Sequence, residues 1–68
     1  MTITINGVRA TVDEGARVTD AVGRVLADPA RRGVAVAVNG EVVPRSAWST
    51  TGLSPGDRVE VLTAAQGG

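Results

Sequence analysis

The chain has 68 residues, a net charge of zero from seven cations and seven acids, and neither Cys nor His. That length allows one domain, and the composition excludes disulfides, thiolate or imidazole metal sites, and nucleophilic catalysis by Cys or a Ser-His pair. With balanced charge and Trp48 as the sole aromatic, a phosphate-tracking surface and base-stacking platforms are missing, so nucleic acid is not an expected partner.

Met1-Thr2-Ile3-Thr4-Ile5 alternates apolar and polar, the period of a half-buried strand. Asn6-Gly7 follows, the dipeptide suited to a type I′ turn because both positions need positive φ. Val8-Arg9-Ala10-Thr11-Val12 alternates again. A two-residue turn then pairs Ile5 with Val8, Ile3 with Ala10 and Met1 with Val12, all on one face. Asp13-Glu14-Gly15 reads as a solvated loop rather than a metal site.

Val18, Ala21, Val22, Val25 and Leu26 fall at the spacing of one amphipathic helical stripe. Asp28-Pro29 is the expected end of that helix, since Pro disfavours the α conformation in the residue before it. Val34 to Val38 is a strand with Val on one face and Ala on the other. Asn39-Gly40 signals a second hairpin, with Val42-Val43 as a short return strand. Its register sets Val36 against Val43 and Ala37 against Val42, and Pro44 stops the pairing. Ser46-Ala47-Trp48 suits one helical turn, with Trp48 as a lid on the core rather than a ligand platform. Ser54-Pro55-Gly56-Asp57 fits a type II turn. Arg58 to Leu62 is the last strand, with Val59 and Val61 inward.

This order predicts an α+β fold: a mixed sheet of about five strands with one helix packed on one face. The helix is expected to cover Ile3, Ile5, Val8, Val36, Val43, Val59 and Val61. First and last strands lie parallel at the centre, which is the β-grasp, or ubiquitin-like, arrangement. Residues 1–63 form the domain, and residues 64–68 are expected to be a flexible Gly-Gly tail. No apolar run approaches the roughly 20 residues of a membrane span. Thr2, Thr4 and Asn6 interrupt any signal-peptide core, so the expected location is cytoplasmic with no membrane partner.

With no P-loop, no G-x-G-x-x-G and no paired carboxylates across a cleft, the chain is not expected to be an enzyme. Its remaining chemistry sits in Ala64-Ala65-Gln66-Gly67-Gly68. Two glycines can be threaded into a narrow slot, because neither carries a side chain that would clash. The α-carboxylate of Gly68 is a poor electrophile until adenylated, after which a persulfide or sulfide can displace AMP and leave a thiocarboxylate.

Three stretches carry a resemblance: Val38 through Trp48 (V-N-G-E-V-V-P-R-S-A-W), Pro55 through Leu62 (P-G-D-R-V-E-V-L), and Gly67-Gly68. Together they resemble the ThiS family, the sulfur carriers of thiamine biosynthesis. The resemblance implies that an E1-like adenylating enzyme uses ATP and magnesium to activate the terminal glycine, and that a persulfide donor supplies sulfur. Thiazole synthase then receives that sulfur for the thiazole ring. By position, Gly68 is the modified residue and Gly67 its spacer, and no cofactor is bound by the carrier itself. A carrier for molybdopterin or cysteine synthesis, and a β-grasp interaction module without terminal chemistry, are the alternatives.

Alternation also turns Ala35, Ala37, Val42 and Leu62 to the sheet face opposite the helix. This apolar patch beside the tail is the expected partner-binding surface, with Gln66 joining it from the tail.

Overall fold

The computed structural model describes residues 1–28 and 31–64. Five strands form one sheet: β1 (Thr2–Ile5), β2 (Val8–Thr11), β3 (Val34–Val38), β4 (Glu41–Val43) and β5 (Arg58–Thr63), in the order β2-β1-β5-β3-β4. β1 runs parallel to β5, and all other pairings are antiparallel. One helix, α1 (Val18–Val25), packs on one face, and a single 3₁₀ turn spans Arg45–Ala47. This is the β-grasp arrangement.

Both hairpins take the registers that alternation requires. Ile3 faces Ala10 and Ile5 faces Val8, while Val36 faces Val43 and Ala37 faces Val42. The turns explain why. Asn6 and Gly7 have φ of 52° and 80°, and Asn39 and Gly40 have 52° and 86°. Positive φ at both positions twists a two-residue turn to match its strands. Gly56, at φ 83°, closes the turn before β5.

The core lies between sheet and helix. Ile3, Val18, Val22, Val36 and Val59 have side chains almost fully removed from water. Burying a side chain of this size contributes roughly 1.5–3 kcal/mol. Trp48 closes one end of the core, 4% exposed, and its indole Nε1 donates to the Val43 carbonyl at 2.9 Å. Arg45 lies over the outer ring face, 4.5 Å from the centroid. Trp48 is thus a lid on the core, with its ring covered.

The start of α1 is capped from a distance. Val18 N donates to the Thr51 carbonyl at 3.0 Å and Thr19 N to the Trp48 carbonyl at 3.2 Å. Within the first turn, Asp20 Oδ2 accepts from the Arg17 backbone N at 2.8 Å. The segment after the 3₁₀ turn thereby satisfies helix donors that would otherwise lack partners.

Three expectations need correction. The helix ends at Val25, not at Asp28, because Leu26 turns extended with φ −114° and ψ 132°. That turn places Leu26, half-buried, against the core, while its N still donates to the Val22 carbonyl. Val25 is 43% exposed, so the buried helical stripe is Val18, Ala21 and Val22. Val8 shares the inner face but is 69% exposed, because an eight-residue helix does not reach over the edge strand β2.

Candidate functional site

β5 sits in the middle of the sheet, and its direction decides where the chain emerges. It pairs with β3 from Val38↔Val59 to Val34↔Thr63, and Ala64 N then donates to the Gly33 carbonyl at 2.6 Å. Gly33, at φ 74°, approaches so closely that an added Cβ would lie 3.1 Å from Ala64 Cβ. The root of the C-terminal segment is therefore held against the start of β3. Gln66, Gly67 and Gly68, and with them Ala65, lie outside the described residues.

The outward face has the expected composition. Leu62 stands directly opposite Ala35, and Ala37 lies between Glu60 and Val42. Leu62 is 63% exposed and Val42 77%, so two large apolar side chains face solvent on this side. The structure divides the four. Ala35 and Leu62 line an open hollow that continues to Thr63 and Ala64, with Arg32 and Arg45 contributing to its wall. Ala37 and Val42 lie outside that hollow, paired with each other in the β3–β4 hairpin. Glu60 is the acidic border of the patch, paired with Ala37 across the strands. Arg45 is positioned twice, over Trp48 and by a hydrogen bond to the Arg31 carbonyl. It ties the segment after β4 to the loop before β3, at the same end of the sheet as Ala64.

Two side chains that sequence reasoning assigned only to turns prove to hold β5. The Asn6 carboxamide donates through Nδ2 to the Val61 carbonyl at 3.1 Å and accepts from Val61 N through Oδ1 at 2.8 Å. Asn39 Oδ1 accepts from Arg58 N at 2.9 Å, and its Nδ2 donates to Asp57 Oδ1 at 3.0 Å. The Asn-Gly signal located both turns, but nothing in it shows that each carboxamide reaches the central strand. Among the described residues, no three His, Cys, Asp or Glu side chains gather as a metal site would need, and no helix is long and apolar enough to cross a membrane.

Ala64 is held at the end of the sheet, with an exposed apolar face beside it. Comparison with known proteins places this arrangement. No curated protein matches the chain. Among solved structures, it is similar to the crystal structure of the thiamine biosynthesis protein (ThiS) from Geobacter metallireducens. That likeness has 37% identity and a TM-score of 0.77, and covers 100% of both chains. An NMR solution structure of a thiamine biosynthesis protein from the same organism matches at 38% identity and TM-score 0.76, covering 100% of this chain and 88% of that one. The ThiS family model matches residues 3–68, and on that match the chain belongs to the ThiS family.

Proposed function

We propose that this protein is a sulfur carrier of thiamine biosynthesis, with the Gly68 α-carboxylate as the sulfur acceptor and Gly67 as its spacer. The observation that carries the reading is a family match running through residue 68, together with a thiamine biosynthesis protein alike over its whole length.

The chemistry follows from the carboxylate. An E1-like adenylating enzyme, using ATP and magnesium, lets a Gly68 carboxylate oxygen attack the α-phosphate, and pyrophosphate leaves. The acyl-adenylate then has AMP as its leaving group. Hydrosulfide attacking the acyl carbon expels AMP and leaves the thiocarboxylate directly. A persulfide donor first gives an acyl disulfide, and a thiol cleaves its S–S bond to release the same product. The thiocarboxylate sulfur is nucleophilic and is delivered, at thiazole synthase, to the thiazole ring. This chain's own residues contribute placement: β5 and the Gly33 contact hold the root of the segment at Ala64, Leu62, Ala35, Ala37 and Val42 offer a docking face, and Gln66 adds a contact from the segment itself. The partner enzymes supply the nucleotide chemistry, and the carrier acts as a co-substrate rather than an enzyme.

Intact-mass measurement tests the reading. After incubation with the adenylating enzyme, ATP, magnesium and a sulfur source, one oxygen should be exchanged for one sulfur within the C-terminal peptide. A variant extended by one residue beyond Gly68 should take up none. Sulfur uptake by the extended variant, or none by the unextended chain with an enzyme that activates a known carrier, would refute it.

A further inference from the structure

We infer that Asn6 is a positioning residue for the reactive segment: its carboxamide ends the pairing of β5 on the β1 side and so fixes where that segment begins. The inference rests on the carrier reading above for its consequence, and on hydrogen bonds for its geometry.

The ladder between β1 and β5 shows the hand-over. Thr4 N donates to the Asp57 carbonyl at 3.0 Å and Asn6 N to the Val59 carbonyl at 2.9 Å. In a strand, backbone groups alternate in direction, so Asp57, just before β5, and Val59, Val61 and Thr63 within it turn their backbone groups to the β1 side. At Asn6 the main chain leaves the sheet, with φ 52° into the Gly7 turn. Val61 would lose its β1 partner there. The Asn6 side chain replaces it, donating to the Val61 carbonyl and accepting from the Val61 N–H. These contacts span 55 residues of sequence. Thr63 is the next residue facing that side, after β1 has turned away, so among the described residues the Asn6–Val61 clamp is the last tie of β5 in that direction. On the other side, Ala64 is tied to Gly33.

The turn alone does not explain the side chain. Gly also adopts positive φ, and it would leave both Val61 groups without their partners. The carboxamide does a second task, and it does so two residues before β5 ends. Asn39 gives an internal control. It occupies the same turn position with the same φ of 52°, but it holds Arg58, at the far end of β5 from the reactive segment.

The experiment compares Asn6→Gly and Asn39→Gly, each of which keeps the turn and removes one clamp. Amide exchange is read at Val61, Thr63 and Val36, and adenylation is read as kcat and KM for the carrier. Asn6→Gly should speed Val61 exchange roughly tenfold relative to Asn39→Gly, with Val36 alike in both. It should lower kcat about tenfold with KM unchanged, because a displaced root misaligns the carboxylate without touching the docking face. Asn39→Gly should leave kcat near wild type. Asn6→Asp keeps the turn and the acceptor for Val61 N–H but loses the donor, so it should fall between, and it supplies the reading where Asn6→Gly does not fold. Equal kcat loss in the two Gly variants, a change in KM alone, or wild-type exchange at Val61 would overturn the inference. Should the wild-type chain accept no sulfur, the carrier reading fails separately, and the exchange contrast between the Asn6 and Asn39 variants still decides whether Asn6 holds the root.

Discussion

Gly33 and Ala64 meet at the point where the sheet ends: the Ala64 amide donates to the Gly33 carbonyl at 2.6 Å, and Gly33 holds φ 74°. The contact joins the first residue after β5 to the last residue before β3. Any side chain at position 33 faces two penalties. Left-handed φ costs an L-residue roughly 1–2 kcal/mol, and a Cβ would lie only 3.1 Å from Ala64 Cβ. Gly33→Ala is therefore expected to lose about 1–2 kcal/mol. In a domain of this size that lowers Tm by roughly 4–16 °C, at about 4–8 °C per kcal/mol. Thermal unfolding checks this, and an unchanged Tm would contradict it.

Trp48 gives a larger effect. It is 4% exposed and its Nε1 donates to the Val43 carbonyl. Trp48→Ala should cost about 3–5 kcal/mol through the cavity it leaves. That is comparable to the whole stability expected of a small domain, so the variant should be largely unfolded by near-ultraviolet and amide-exchange criteria. Trp48→Phe keeps most of the volume and loses the hydrogen bond. It should remain folded, with a loss of roughly 0.5–1.5 kcal/mol in denaturant unfolding.

Val8 and Val22 look alike in the sequence but not in the fold. Val22 is fully buried and Val8 is 69% exposed. Val22→Ala should cost about 2 kcal/mol, the scale of burying such a side chain. Val8→Ala should stay within about 0.5 kcal/mol, as surface changes do. Matching losses in urea titrations would show that the edge strand is more deeply packed than its exposure indicates.

These three cases also show what the sequence makes legible. Alternation and two Asn-Gly pairs determined both hairpin registers, because a strand slipped by one residue would turn Ile3 and Val36 to solvent. The inward pair Val59 and Val61 and the outward Leu62 followed from the same period. Coverage was not legible: whether Val8 or Val25 is buried depends on how far a short helix extends over a twisted sheet. Hydrogen bonds between distant segments were equally hidden. Asn6 to Val61, Val18 to Thr51 and Ala64 to Gly33 each join residues far apart in sequence, and local propensity carries no record of them. The same alternation turns an apolar outward face toward solvent at Ala35, Val42 and Leu62, while Ala37 is half-buried. The division of that face into a hollow at Ala35 and Leu62 and a part at Val42 outside it needed the path of the Arg32 and Arg45 segments.

That division leads to the last prediction. Leu62 is exposed, paired with Ala35, and one residue from the end of β5. Val42 is more exposed but sits on the edge strand, outside the hollow. Neither belongs to the core, so Leu62→Asp and Val42→Asp should both fold, with Tm within a few degrees of wild type. A carboxylate placed in an apolar contact loses its hydration without gaining a partner, so both should weaken docking of the adenylating enzyme and of the sulfur acceptor. Leu62→Asp should be the more severe, because it introduces the charge beside the root of the segment that the proposed carrier role threads into a partner's active site. Residues at the centre of an interface are the minority that cost about 1–2 kcal/mol or more when disrupted, which for Leu62 corresponds to roughly a tenfold rise in KM for the carrier. Initial rates of adenylation and of sulfur delivery, measured over subsaturating carrier concentrations, give the comparison. Wild-type rates in both folded variants would mean that partners grip another surface, and a stronger effect at Val42 would move the centre of the interface to the β3–β4 hairpin.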